Sequence, residues 1–210
     1  MSSLGETCRL LRVINDIAKP KRNIPPGFNK AHVLVALQAT SEEPRNRCFL
    51  EKTLGIGEAS VKTLVKRLKE KGLVRTSRHT GTKATDLGRE IARLLNSMLL
   101  VMPVECNITS GQDILVIIPG ISPPRDIVEV YKVRDHLVKS GCNVSVIGGY
   151  LDNELVTPGI EEDYAVKLKQ CIVHAASDAS LRGNGVFVFF PRNLSYECLD
   201  GVLSFLLSLC

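Results

Sequence analysis

No CxxC pair occurs in this 210-residue chain, although it carries seven cysteines: Cys8, Cys48, Cys106, Cys142, Cys171, Cys198 and Cys210. Without paired thiols at metal-ligand spacing a zinc knuckle is excluded, and an odd count with no local pattern indicates no disulfide framework. Most of these cysteines sit in apolar runs, such as Cys106-Asn107-Ile108 and Cys171-Ile172-Val173, and read as small buried hydrophobes in a reducing cytoplasm. Cys171 and His174 lie three apart on an expected helix, but two ligands without partners make no site, so neither a metal nor another cofactor is expected. Long apolar runs are missing too. The longest, Gly201 to Cys210, falls well short of the roughly 20 residues that span a bilayer. Nor does a secretory signal open the chain, because Glu6, Arg9, Arg12 and Asp16 interrupt Leu4 to Ile17. A soluble, cytoplasmic protein with no membrane partner is expected. There is no internal repeat and no low-complexity segment.

Charge is present and unevenly placed. Residues 1–100 carry 19 Lys and Arg against 9 Asp and Glu, a net +10, whereas residues 101–210 carry 8 against 13, a net −5. A basic half joined to an acidic half points to a polyanion-binding module followed by one that avoids polyanions. The expected domains are residues 1–102 and 103–210.

The basic half reads as helices closed by a hairpin. Leu10, Leu11, Val13, Ile14 and Ile17 mark a first helix. A linker, Lys19 to Gly27, is broken by Pro20, Pro25 and Pro26 and carries a basic cluster of Lys19, Lys21 and Arg22 that can serve as an arm. Asn29 caps the next helix, which stops before Pro44. Residues 47–54 form a short helix with Cys48, Leu50 and Leu54 available for burial. Gly55 and Gly57 supply a tight turn into a helix from Glu58 to Lys71, whose stripe Val61, Leu64, Val65, Leu68 turns to the core. Gly72 ends it, and Leu73–Ser77 and Lys83–Thr85 pair around Thr80-Gly81. A last helix starts at Thr85 or Asp86 and runs to Leu99, with Pro103 limiting it.

The acidic half alternates as β-β-α-β-β-α-β-α: strands at Val104–Thr109 and Ile114–Ile118, with a turn at Ser110 to Asp113 between them; a helix Asp126–Ser140 with Ile127, Val130, Val133, Leu137 and Val138 on one face; a strand Cys142–Ile147; a turn or bulge at Gly148-Gly149; a short strand around Leu151 and Leu155-Val156; a helix Glu162–Ala176; a strand Val186–Phe190; and an apolar helix from Tyr196. The connections are too short for repeated crossovers, so a two-layer α+β sandwich with a mainly antiparallel sheet is expected. The overall fold class is α+β.

Turn, basic helix and hairpin, in that order, are how a winged helix-turn-helix meets double-stranded DNA. On the face opposite the apolar stripe, Ala59, Ser60, Lys62 and Thr63 form a short base-reading edge, and Lys66 and Arg67 anchor phosphates. Glu58 is expected to favour the helix macrodipole rather than a cytosine amine. The hairpin adds Arg75, Arg78, His79, Thr80 and Lys83 for phosphate or minor-groove contact.

Leu54 to Leu73 with its wing and Thr85-Asp86-Leu87-Gly88-Arg89-Glu90 resembles archaeal and bacterial winged-helix transcriptional regulators. More narrowly, Gly27-Phe28, Ala31-His32-Val33-Leu34, Arg134-Asp135, Gly141 and Leu155-Val156-Thr157-Pro158-Gly159 resemble an uncharacterised archaeal family that pairs an N-terminal winged helix with a C-terminal α+β domain. The resemblance implies DNA binding by analogy and an archaeal cytoplasm.

No catalytic constellation stands out, and no enzyme activity is expected. Arg134-Asp135-His136 invites comparison with a kinase catalytic loop, but it sits mid-helix without the glycine-rich loop or the downstream Asn. Gly55-x-Gly57 follows no strand and has Ser60 where a dinucleotide motif has its third Gly. The acidic domain is expected either to sense a small-molecule effector, with Arg134, Asp135, Gly148 and Gly149 near a pocket, or to form a homodimer. The terminal helix, apolar nearly all round at Leu199, Val202, Leu203, Phe205, Leu206, Leu207 and Leu209, belongs either to its own core or to a dimer seam. The expected function is a DNA-binding transcriptional regulator; the alternative is an interaction module that turns the same basic face to RNA, ribosome or polymerase.

Overall fold

The computed structural model describes residues 4–21, 24–109, 111–176 and 183–210, with Leu4 and Glu6 as backbone alone. Arg22 of the basic linker and Ser110 of the expected turn lie outside the described residues. The chain divides into two units, Met1–Ser97 with Leu206–Cys210, and Met98–Phe205. The division falls at Ser97 rather than after residue 102 because the residues that follow α5 already belong to the second unit's sheet.

The first unit contains α1 (Leu4–Ala18), α2 (Lys30–Glu42), α3 (Arg47–Leu54), α4 (Glu58–Glu70), β1 (Val74–Ser77), β2 (Gly81–Ala84) and α5 (Asp86–Met98). Local chemistry sets their ends. The Asn29 side chain accepts from the His32 amide, and the His32 ring accepts from the Asn29 amide, so two orphan donors at the start of α2 are satisfied reciprocally. Asn46 caps α3 by accepting from the Phe49 amide at 2.8 Å, and Gly55, at φ 65°, closes it in the left-handed conformation. Val61, Leu64 and Leu68 of α4 are buried, as the stripe predicts, while Val65 is only half-buried. Cys48 is exposed, contrary to expectation. It precedes Leu50 by two residues and so falls on the opposite side of α3 from the buried Leu50 and Leu54.

The hairpin is tied back onto the helices. Arg45, before α3, bridges Thr82 with both backbone bonds at 2.8 Å, an isolated bridge beside the two-stranded hairpin. Gly81 opens β2 instead of sitting in the connection. Its φ is 91°, and a Cβ there would lie 2.4 Å from the Arg45 carbonyl oxygen, so only glycine permits this approach. Three helices, this bridge and the hairpin make the unit a winged helix-turn-helix.

The second unit contains β3 (Leu100–Val104), β4 (Asp113–Pro119), α6 (Ile127–Lys139), β5 (Val146–Leu151), β6 (Glu154–Val156), α7 (Glu162–Ala175), β7 (Asn184–Pro191) and, up to Phe205, α8 (Ser195–Ser208). The sheet order is β3-β4-β7-β5-β6 and every pairing is antiparallel. The first strand occupies Leu100–Val104, not Val104–Thr109. Pro103 is tolerated because β3 is an edge strand. Instead of a strand, Ile108 and Thr109 form a loop held by the buried Asp113 carboxylate, which accepts from the Ile108 amide at 2.7 Å and from Thr109. Asp152 and Asn153, both at positive φ (49° and 69°), make the tight two-residue turn between β5 and β6.

Leu115 and Ile117 of β4 and Phe187 and Phe189 of β7 pack with Leu168, Cys171 and Ile172 of α7. The alternate residues, Ile114, Val116, Val186, Val188 and Phe190, are buried too. The sheet is therefore covered on a second face in addition to the expected sandwich. α6 and α8 touch closely, with a Cβ at Gly201 reaching 2.5 Å from the Leu137 Cα. Val130, Val133 and Leu137 of α6 are buried, but Ile127 and Val138, placed on the same face from sequence, are exposed at the edge of that stripe. Leu199, Val202, Leu203, Phe205 and Leu206 of α8 are buried within the chain, whereas Leu209 is exposed, so most of the apolar surface of this helix serves the core.

The cysteines overturn the reading of unpaired thiols. Cys8 pairs with Cys210, Cys106 with Cys171 and Cys142 with Cys198, leaving Cys48 free. Partners 202, 65 and 56 residues apart leave no local spacing to read, and their pairing removes the argument for a reducing compartment. Among the described residues no helix is long and apolar enough to cross a membrane.

Candidate nucleic-acid interface

The turn Gly55-Ile56-Gly57 aims α4 so that its buried stripe faces inward and the opposite arc is open. One edge of this arc carries Lys62, Lys66 and Lys69, spaced i, i+4, i+7. That edge and the wing wall a cleft of about 880 Å³, whose lining includes Arg47, Lys62, Lys66, Lys69, Arg78, His79 and Thr80. It contains five Lys or Arg and no Asp or Glu. Glu58 stands nearby as a brake on this charge. Its carboxylate pairs with Arg47 at 2.8 Å and with Lys62 at 2.9 Å. The Lys62 hydrogen bond first, then that from Arg47, holds the Glu58 carboxyl below the usual carboxylate range. Glu58 thus meets cations of its own chain, in addition to lying in the first turn of α4.

The other edge of α4 faces the linker. Ala59, Ser60, Thr63 and Arg67 line a second cleft of about 370 Å³, closed by Lys21, Ile24, Pro25, Pro26 and Gly27. The expected reading edge is therefore split: Lys62 belongs to the wing cleft, while Ala59, Ser60 and Thr63 belong to the linker cleft. The Thr63 hydroxyl donates to the Ala59 carbonyl at 2.9 Å. Lys19 and Lys21 of the linker pair with Asp16 and Glu70 at 3.0 and 3.1 Å, which turns them back onto the domain rather than outward as an arm.

Two assignments are corrected. Arg67 is not an exposed anchor. It is buried, donates from Nη1 to the carbonyls of Ile17 at 2.6 Å and Lys19 at 2.7 Å, and lies over the Phe28 ring. It sits one position, about 100°, past Lys66 around the helix, and that turn carries it under the end of α1. Arg75 and Lys83 are directly opposite each other in the hairpin register, and neither lines the wing cleft. Val74, Thr82 and Ala84 point inward, so the strand period of two sends Arg75 and Lys83 to the outer face.

In the second unit the four candidate effector residues do not assemble. Arg134 and Asp135 are exposed on α6. Gly148 and Gly149 lie inside β5, not in a turn, because Cβ atoms there would reach 2.5 Å from the Phe187 ring and 2.3 Å from Pro123. No metal-binding group of three or more His, Cys, Asp or Glu occurs among the described residues.

Sequence reasoning missed Arg47 and Lys69. Lys69 follows Lys62 and Lys66 on one helical edge, a signal that a wheel projection contains; Arg47 reaches the cleft only through the α3–α4 turn, which sequence does not place.

No protein-family model matches the chain, and no curated protein matches it. Among solved structures it is similar to hypothetical protein PH0730 from Pyrococcus horikoshii OT3, with 23% identity over 85% of this chain and 91% of that one and a TM-score of 0.60. At that identity the likeness is one of fold.

Proposed function

We propose that this protein is a DNA-binding transcriptional regulator of the archaeal winged-helix kind, with α4 as its recognition helix. The supporting observation is the wing cleft, where five cations and no acid converge between α4 and the hairpin. Lysines on one helix edge and Arg78, His79 and Thr80 at the wing tip suit a phosphate backbone that runs past both elements. Ala59 and Thr63, small and exposed at the first turns of α4, leave room for base edges. The second unit is assigned to regulation, either by an effector or by self-association.

The test is competition between a duplex pool and structured RNA at physiological salt, followed by salt titration of Lys62→Ala/Lys66→Ala. The double variant is expected to bind duplex more weakly and to flatten the log–log salt slope by about 0.9 per lost phosphate contact. Preference for RNA, or an unchanged slope, would sink the reading and favour the RNA-, ribosome- or polymerase-associated module.

A further inference from the structure

Among the described residues one disulfide belongs to the first unit, Cys8–Cys210; the other two lie within the second. Access separates them. Cys142 and Cys198 are fully buried, Cys171 is 4% exposed and Cys106 is partly buried. Cys210 is exposed, together with Ser208 and Leu209. Thiol–disulfide exchange requires a thiolate to reach a sulfur, so access sets which bond opens first.

The Cys8–Cys210 bond fastens a weakly held segment to α1. Past the buried Leu206, residues 207–210 are half-buried or exposed, so apolar burial contributes little there. Arg12 of α1 adds a bond from Nη2 to the Cys210 backbone oxygen at 3.1 Å. α1 in turn holds α4. The carbonyls of Ile17 and Lys19, at and just past its far end, accept from Arg67 Nη1 at 2.6 and 2.7 Å. Arg67 is 6% exposed and enters none of the ion pairs found among the described residues. A buried guanidinium that loses its acceptors is costly, so the seat of α4 depends on the seat of α1. Lys62 and Lys66, which line the wing cleft, ride on the same helix.

We infer that Cys8–Cys210 is a redox clasp. Closed, it seats α1 and, through Arg67, fixes α4 beside the wing. Opened by a dithiol reductant, it releases residues 207–210, loosens α1 and weakens the hold of the wing cleft on DNA; that last step alone rests on the DNA-binding reading. In the exchange a thiolate of the dithiol attacks Cys210 Sγ, the S–S bond breaks, and Cys8 leaves as a thiolate that takes a proton. The second thiol of the reductant then displaces Cys210, so two electrons and two protons pass to the cysteines and the dithiol becomes a disulfide.

The experiment reduces the whole protein with graded dithiothreitol, alkylates the freed thiols and maps them by mass. Cys8 and Cys210 are expected to be labelled at about tenfold lower reductant than the four cysteines of the second unit. At that point hydrogen exchange of the α1 amides should quicken about tenfold, and duplex affinity should fall about fivefold or more. Cys210→Ser is expected to show both effects without reductant, whereas Cys48→Ser should respond like the unaltered protein, which separates the clasp from the free thiol. Opening of a second-unit disulfide first, or an opened clasp with unchanged α1 exchange, overturns the inference. Faster α1 exchange with unchanged duplex affinity overturns the link to α4. A protein that binds no duplex in either state sinks the DNA-binding reading, and α1 exchange still decides the clasp. Should Cys210→Ser fail to fold, graded reduction of the unaltered protein decides by itself.

Discussion

Lys66 and Arg67 are adjacent cations on α4, yet a rotation of about 100° leaves the first in the wing cleft and puts the second under the C-terminal end of α1. Sequence gave both the same role because charge and helical period are visible, whereas the position of α1 over the helix is not. Glu58 is a similar case: its place in the first turn of α4 is plain from sequence, but its pairing with Arg47 requires the folded turn. Removing the carboxylate frees Arg47 and Lys62. Glu58→Gln is therefore expected to tighten duplex binding and to steepen the salt slope by about one unit, read by fluorescence anisotropy; weaker binding would mean that the carboxylate positions the two cations. Because the folded Glu58 pKa is depressed, its pairing is complete above the unfolded value and is lost only as pH falls through the lower folded value. The gain should therefore disappear in strong acid, where both proteins carry a neutral side chain.

At the scale of elements, most of the chain was legible. The order of helices and strands in the second unit matches the alternation read from the sequence, and short connections correctly require antiparallel pairing. Misreadings fall where neighbours override local signals. Pro103 looks like a stop but lies in an edge strand, and Gly148-Gly149 looks like a turn but makes room for Phe187 and Pro123. The wing shows the same dependence on a neighbour. Gly81→Ala sets a Cβ against the Arg45 carbonyl at a positive φ, and a loss of about 1–3 kcal/mol is expected in urea unfolding. Duplex affinity should fall with it, since the displaced hairpin carries Arg78 and His79. Unchanged stability would show that the Arg45–Thr82 bridge does not anchor the wing.

At the scale of the whole molecule, three long-range disulfides dominate. Thiol titration of the native protein is expected to find one reactive group, Cys48, and all seven after unfolding and reduction. Each cross-link restricts the unfolded chain, so reduction should lower stability by about 2–5 kcal/mol per bond; seven accessible thiols in the native, unreduced protein would refute the pairings. With most of the apolar surface of α8 in the core, the homodimer proposal rests on half-site geometry, two α4 helices one DNA turn apart. Sedimentation equilibrium of the 23.0 kDa chain, alone and on a palindromic duplex, checks it, and one protomer per duplex would exclude it. By itself the sequence determined the element order, the winged-helix arrangement and the half of the chain that carries positive charge, because periodicity, caps, turns and composition are local properties. Only the tertiary structure decided which cations converge, which one is buried, and which cysteines meet, because these depend on residues far apart in the chain being brought within bonding distance. Leu54 to Thr85 thus declared a basic helix and hairpin from sequence, but the two clefts that flank the helix exist only once the linker and the wing have folded against it.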